Sequence, residues 1–155
     1  MLIFGHDRAL ARWAGERIGI ADFGPCVAIG VSYGNDIIAA AVYNQYRHPN
    51  IEVTFVTDRA PHDRGAVREI RRSIGPLLRY PFVQLRCKRI TAVTGATNQP
   101  ARAFLCRLGF KQEGYHPEAL PTGDAVSYGL FARDAARWLA EEAPHVERRN
   151  AASRP

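Results

Sequence analysis

The stretch Asn98–Phe110, NQPARAFLCRLGF, constrains this chain more than any other. Asn98 offers a side-chain acceptor to the first free amides of a helix, and Pro100 is tolerated in the first turn, where its missing N–H had no partner to lose. Ala101, Phe104, Leu105 and Leu108 recur at helical spacing and define one apolar face. Gly109 can take the left-handed conformation that closes a helix, and Phe110 opens the next strand. Just upstream, Arg89–Thr94 is rich in β-branched residues and reads as a strand. The unit is strand, turn, capped helix, Gly-Phe, strand.

The remaining segments can be read in order. Asp7 is placed to cap a helix whose apolar positions are Leu10, Trp13, Ala14 and Ile18. Cys26–Tyr33 and Ile37–Tyr46 read as strands joined by a Gly34-Asn35-Asp36 hairpin turn. The run Ile-Ile-Ala-Ala-Ala-Val in the second of them predicts cover on both faces. After a His48-Pro49-Asn50 turn, Ile51–Thr57 alternates, with Ile51, Val53 and Phe55 on one face and Glu52, Thr54 and Val56 on the other. Asp63 caps a further helix with the stripe Val67, Ile70, Ile74, Leu77 and Leu78. Gly75-Pro76 is expected to kink or split that helix, and Pro81 to end it. Phe110–Tyr115 and Gly123–Phe131 read as a strand pair joined by a Pro-containing loop, and Asp134–Glu142 as a last short helix. Residues 1–143 are expected to form one domain and 144–155 a disordered tail.

The 155 residues are enough for a real core, and 46% hydrophobic with 23% charged residues is ordinary for a soluble globular chain. No apolar run is long enough to span a bilayer, and MLIFGHDRAL lacks the basic flank of a secretory signal. Cys26, Cys87 and Cys106 are odd in number and lack metal-ligand spacing, so we expect free thiols in a cytoplasmic protein that binds no metal. Charge is uneven: from Arg59 to Lys111 there are twelve Lys/Arg against two acids, within a chain of net charge +6. That segment reads as a solvated basic face or as a site for a polyanion, either coenzyme A or RNA.

Arg89-Ile-Thr-Ala, then Asn98-x-x-Ala101, Leu108-Gly109-Phe110 and Glu113-Gly114 together resemble the GNAT superfamily of acyl-CoA N-acyltransferases. They are most similar to the branch that acetylates ribosomal-protein N-termini. Gly123-Asp124-Ala-Val-Ser-Tyr128-Gly-Leu130 is similar to that branch's last strand. The resemblance covers about residues 88–131. It implies an α/β fold with a mixed sheet, splayed in the middle, and helices on both faces. The independent reading of helix, three strands, helix, strand, helix, two strands agrees with that order.

The resemblance also implies an acetyl-CoA-dependent N-acetyltransferase whose acceptor is a primary amine: a protein N-terminus, a lysine or a small amine. Its cofactor would lie along Val56 and Thr57 and on the helix start at Arg64, Gly65, Ala66, Val67 and Arg68, where free amides and the helix dipole favour a diphosphate. Of the family's phosphate pattern only His62-x-x-Gly65-x-Val67 is matched, and Asp63 would compete for the same amides. Asn98 would touch the pantetheine arm and Arg102 the adenine or 3′-phosphate end. Glu52 is the expected general base, with Tyr43 and His48 in reserve. The family's acid is often a Tyr where this chain has Leu105, or a Ser where it has Ala101. Tyr128 or Ser127 would then have to donate to the leaving sulfur. Cys106 points off the apolar face and reads as a bystander thiol. The alternative reading is a catalytically weak or inactive GNAT-like basic module that binds RNA. Edge strands and an apolar N-terminus leave room for a homodimer.

Overall fold

The computed structural model describes residues 1–58 and 63–140. Strands β1 (Leu2–Ile3), β2 (Cys26–Tyr33), β3 (Asp36–Arg47), β4 (Asn50–Thr57), β5 (Arg89–Gly95), β6 (Lys111–Leu120) and β7 (Gly123–Phe131) form one sheet in the order β1-β2-β3-β4-β5-β7-β6. The β4–β5 pair is parallel and the other pairs are antiparallel. Helix α1 (Asp7–Ile18) packs on β2, β3 and β4 from one side. Helices α2 (Arg64–Arg79), α3 (Gln99–Leu108) and α4 (Ala132–Leu139) cover the other side. The architecture is the mixed α/β sheet with helices on both faces expected from the sequence.

Alternation decides which core each strand residue joins. Ala39 and Ala41 of β3 face α2 and its neighbours, while Ala40 and Val42 face α1, so the alanine run is covered on both sides as predicted. Small residues here let helices approach the sheet from both directions. On β4, Ile51 and Val53 enter the α2-side core and Val56 the α1-side core.

α3 forms where the sequence places it. Asn98 Oδ1 accepts the Ala101 amide at 3.3 Å, and Gly109, at φ +106°, closes the helix. Other expectations need correcting. β1 was not foreseen, because two residues carry no periodic signal. Asp7 is the first residue of α1 rather than its cap; the N-cap is His6, and the Asp7 carboxylate instead accepts the Ala28 amide at 2.8 Å. β6 runs on to Leu120 through Pro117, with irregular register where it passes the proline. That is where a strand tolerates proline, on a sheet edge and at a bulge. α4 starts at Ala132, two residues before Asp134; the expected end at Glu142 and the tail from 144 lie outside the described residues.

The expected break in α2 does not occur. The helix runs past Gly75-Pro76 and passes at Tyr80–Gln84 into a π-helical turn that contains Pro81. Pro81 has no N–H for the carbonyl of Leu77, one turn back. The hydroxyl of Tyr43, on β3, donates to that carbonyl at 2.8 Å, joined by the Tyr80 amide. Gly75 lies where any Cβ would stand 2.4 Å from the Trp138 carbonyl oxygen, so its size lets α2 and α4 touch. Val67 is not in the apolar stripe: it is 52% exposed, and Ala66 is buried in its stead.

Candidate active site

β4 and β5 are hydrogen-bonded only at Asn50–Arg89, Ile51–Ile90 and Glu52–Thr91. Beyond Glu52 the strands part, and among the described residues the β5-facing edge of Val53–Thr57 has no strand partner. Backbone N–H and C=O groups along such an edge must bond to something, and an extended amide-bearing chain meets that need by lying beside the strand. Aromatic rings line the gap: Phe55 of β4 meets Phe104 of α3 edge-on at 5.8 Å and Phe110 at 6.4 Å.

α2 is the next described element after β4 in the chain, and its start lies against Tyr33 at the end of β2. Asp63 caps it, its Oδ1 accepting the Gly65 amide at 2.6 Å. Arg64 and Arg68 are exposed beside this end, and Ala66 is buried. A Cβ on Gly65 would stand 2.2 Å from the Tyr33 hydroxyl oxygen, so the smallness of Gly65 accommodates the Tyr33 ring. His62 lies outside the described residues.

Of the residues expected to handle protons, Glu52 is half-buried, on the face of the sheet that carries α1, at the last paired position before the strands part. No ion pair among the described residues uses it. Tyr128 pairs with Ala92 of β5 and so stands on the opposite face, 2% exposed. Its hydroxyl accepts the Arg102 Nε hydrogen at 2.9 Å. Arg102 also donates to the Ala96 carbonyl at 2.8 Å and to Gln112 Oε1 at 3.2 Å. Glu52 and Tyr128 can reach a common atom only through the gap between β4 and β5. Tyr43 is excluded as a base: it is 1% exposed, on the α2 side, and committed to Leu77. Burial, with Tyr80 nearby, pushes its phenol far above the ordinary value. His48 sits in the exposed turn, before cis Pro49. Leu105 is buried, Ala101 half-buried, and neither can donate a proton. Cys106 is exposed, and all three thiols are free.

The fold as a whole has solved counterparts. A spermidine N-acetyltransferase SpeG chimera built on the Vibrio cholerae protein aligns over 90% of this chain and 99% of its own, at 15% identity and TM-score 0.66. A ribosomal-protein-alanine acetyltransferase from Vibrio fischeri aligns over 84% and 91%, at 16% identity and TM-score 0.63. Mycobacterium smegmatis RimJ, solved with CoA-disulfide, aligns over 81% and 64%, at 18% identity and TM-score 0.62. The fold is that of the GNAT acetyltransferases. The sequence matches no family model, and no curated protein matches it. The chain spans about two thirds of the length of several GNAT-fold structures, 64% to 68%.

Within the GNAT fold the residues fit a CoA-type ligand along the gap, where the open edge of β4 can take an amide-bearing arm. At α2 the exposed Arg64 and Arg68 suit a diphosphate, which would have to share or displace the Asp63 cap.

Two polar groupings were not foreseen, because each depends on register between distant segments. At the closed end of the gap, Arg89 reaches Asn50 Oδ1 at 3.3 Å, Thr91 Oγ1 at 3.2 Å and Glu113 Oε2 at 3.0 Å. Thr91 Oγ1 in turn donates to Asn50 Oδ1 at 2.8 Å, tying β5 to the start of β4. Further along the same face, His116 Nε2 and Ser127 Oγ share a hydrogen bond of 2.9 Å. Ser127 was named from the sequence; His116 was not.

Proposed function

We propose that this chain transfers the acetyl group of acetyl-CoA to a primary amine. The observation that carries this is the parting of β4 and β5 after Glu52–Thr91, with exposed Arg64 and Arg68 on the first turns of α2 as the candidate diphosphate partners. Acetyl-CoA supplies an acetyl thioester. The open edge of Val53–Thr57, with Val56 and Thr57 at its far end, pairs with the pantetheine arm. The α2 start, from Arg64, Gly65, Ala66 and Val67 to Arg68, faces the diphosphate. Asn98, exposed at the mouth of α3, lies toward the arm. Arg102, held on Tyr128, positions that phenol and leaves any contact with the adenine end as a secondary role.

Glu52 takes the proton of the attacking amine through a water. The ordinary pKa of an α-amine is about 8 and of a lysine about 10.4, so a carboxylate at this mouth must both attract the ammonium and accept its proton. Tyr128 donates toward the leaving sulfur from the other face. Because its oxygen accepts from Arg102, its own hydrogen is free to be given. The acceptor is a protein N-terminus, a lysine or a small amine; the solved GNAT-fold proteins include a spermidine and a ribosomal-protein acetyltransferase.

Isothermal titration with acetyl-CoA, followed by a free-thiol assay with an amine panel, tests this reading. We expect saturable binding and amine-dependent thiol release. Absence of binding at millimolar cofactor would remove it.

A further inference from the structure

On the α1 side of the sheet, α1 covers β2, β3 and β4, and among the described residues no helix lies over β5, β7 and β6. Pairing places Thr91, Gly129 and Lys111 in one row on this bare face, and Val93, Ser127 and Gly114 in the next. Val93 is 44% exposed, an apolar patch bordered by hydroxyl and imidazole. Gly114 leaves room for the couple: a Cβ there would stand 3.0 Å from both His116 Nε2 and Ser127 Oγ.

Glu52 faces the same side across the start of the gap. With strands about 4.8 Å apart and a rise of about 3.3 Å per residue, Glu52 and Ser127 are roughly 12 Å apart at their Cα atoms. Side chains reaching inward leave a floor of Thr91 and Val93 about as long as a dipeptide. The charges on this floor are informative. Glu113 is neutralised by its two-pronged pair with Arg89, whereas Glu52 is in no ion pair among the described residues. Lys111 adds a positive charge on the far side.

We propose that the His116–Ser127 couple is the acceptor anchor of this face. The acceptor it fits carries a single positive charge, the amine, held at Glu52, and next to it a neutral hydrogen-bonding group, such as a peptide unit, held at Ser127 and His116. A polyamine would bring further positive charges toward Lys111, which repels them. This rests on the acetyltransferase reading for the reaction, but not for the binding. The couple is a positioning and specificity pair; it takes no part in the bonds that change.

The experiment compares an alanyl peptide amide with spermidine, on the wild type, Ser127→Ala and His116→Phe. Binding is read from the imidazole NMR shifts of His116 in the wild type, and turnover from KM and kcat. We expect the peptide amide to shift the His116 signals and to be preferred over spermidine. We also expect each variant to raise the peptide KM by about five- to tenfold with kcat nearly unchanged, as loss of one hydrogen bond implies. Spermidine KM should not move. Preference for spermidine, unshifted His116 signals, or a peptide KM indifferent to both variants would overturn the proposal. Shifted His116 signals without acetyl transfer to any amine would leave the anchor standing and remove the enzyme reading instead.

Discussion

Arg89 of β5 and Glu113 of β6 are joined by a two-pronged ion pair that passes over β7 at Gly129. A Cβ on Gly129 would stand 2.4 Å from Glu113 Oε1 and 2.7 Å from Arg89 Nη2. The pair takes this path over β7 because Gly129 has no side chain. The same guanidinium holds Asn50 and Thr91, so the bridge also fixes the point from which β4 and β5 diverge.

Gly129→Ala should push the two flexible side-chain ends aside and break the pair, at a cost of less than about 1 kcal/mol. Urea unfolding measures this. The ion pair is about a third exposed, so Glu113→Gln, which keeps the shape, should cost less than about 1 kcal/mol.

The Arg89 hydrogen bond, with its charge, holds the Glu113 carboxyl below its ordinary value. A carboxylate whose pKa is lower folded than unfolded adds stability above the unfolded value, about 4.3, and loses it as pH falls through the folded one. Unfolding of the wild type between pH 5 and pH 3, set as a rough window around that value, should therefore fall more steeply than that of Glu113→Gln. Parallel curves would show that the pair does not couple to folding.

Tyr43→Phe removes the donor that stands in for the amide Pro81 lacks. It should destabilise by about 1–3 kcal/mol, because the Leu77 carbonyl keeps only the Tyr80 amide in a buried site. Amide exchange should quicken at the end of α2 while β6 and β7 stay protected.

Asp63→Asn keeps a side-chain acceptor at the α2 start and removes the negative charge that competes with phosphate. Stability should change by less than about 1 kcal/mol. Affinity for CoA should rise, and titration against pantetheine, which lacks the diphosphate, should show no gain.

Glu52→Gln should lower kcat by about 10²- to 10⁴-fold, the span expected for a general base, with acetyl-CoA affinity unchanged. An unaltered kcat would move the base elsewhere.

What the sequence determined by itself was local or periodic. Asn98 and Gly109 bound α3 through contacts within three or four residues, and the alternation on β3 and β4 assigns each side chain to a face wherever the strand lies. The order of elements, and with the motif resemblance the fold, follows from such signals. Tertiary structure alone decided the rest. Pro81 marks the end of α2, as the sequence indicates, but the π-helical turn that follows and the Tyr43 hydroxyl, 38 positions earlier, that bonds the Leu77 carbonyl are tertiary. The approach of Tyr33 at the end of β2 to Gly65 on α2 joins segments 32 positions apart. The point at which β4 leaves β5, the bridge over Gly129 and the His116–Ser127 couple all depend on which residue meets which across strands. That register is set by packing of the whole sheet, because a shift of one residue turns every side chain to the other face.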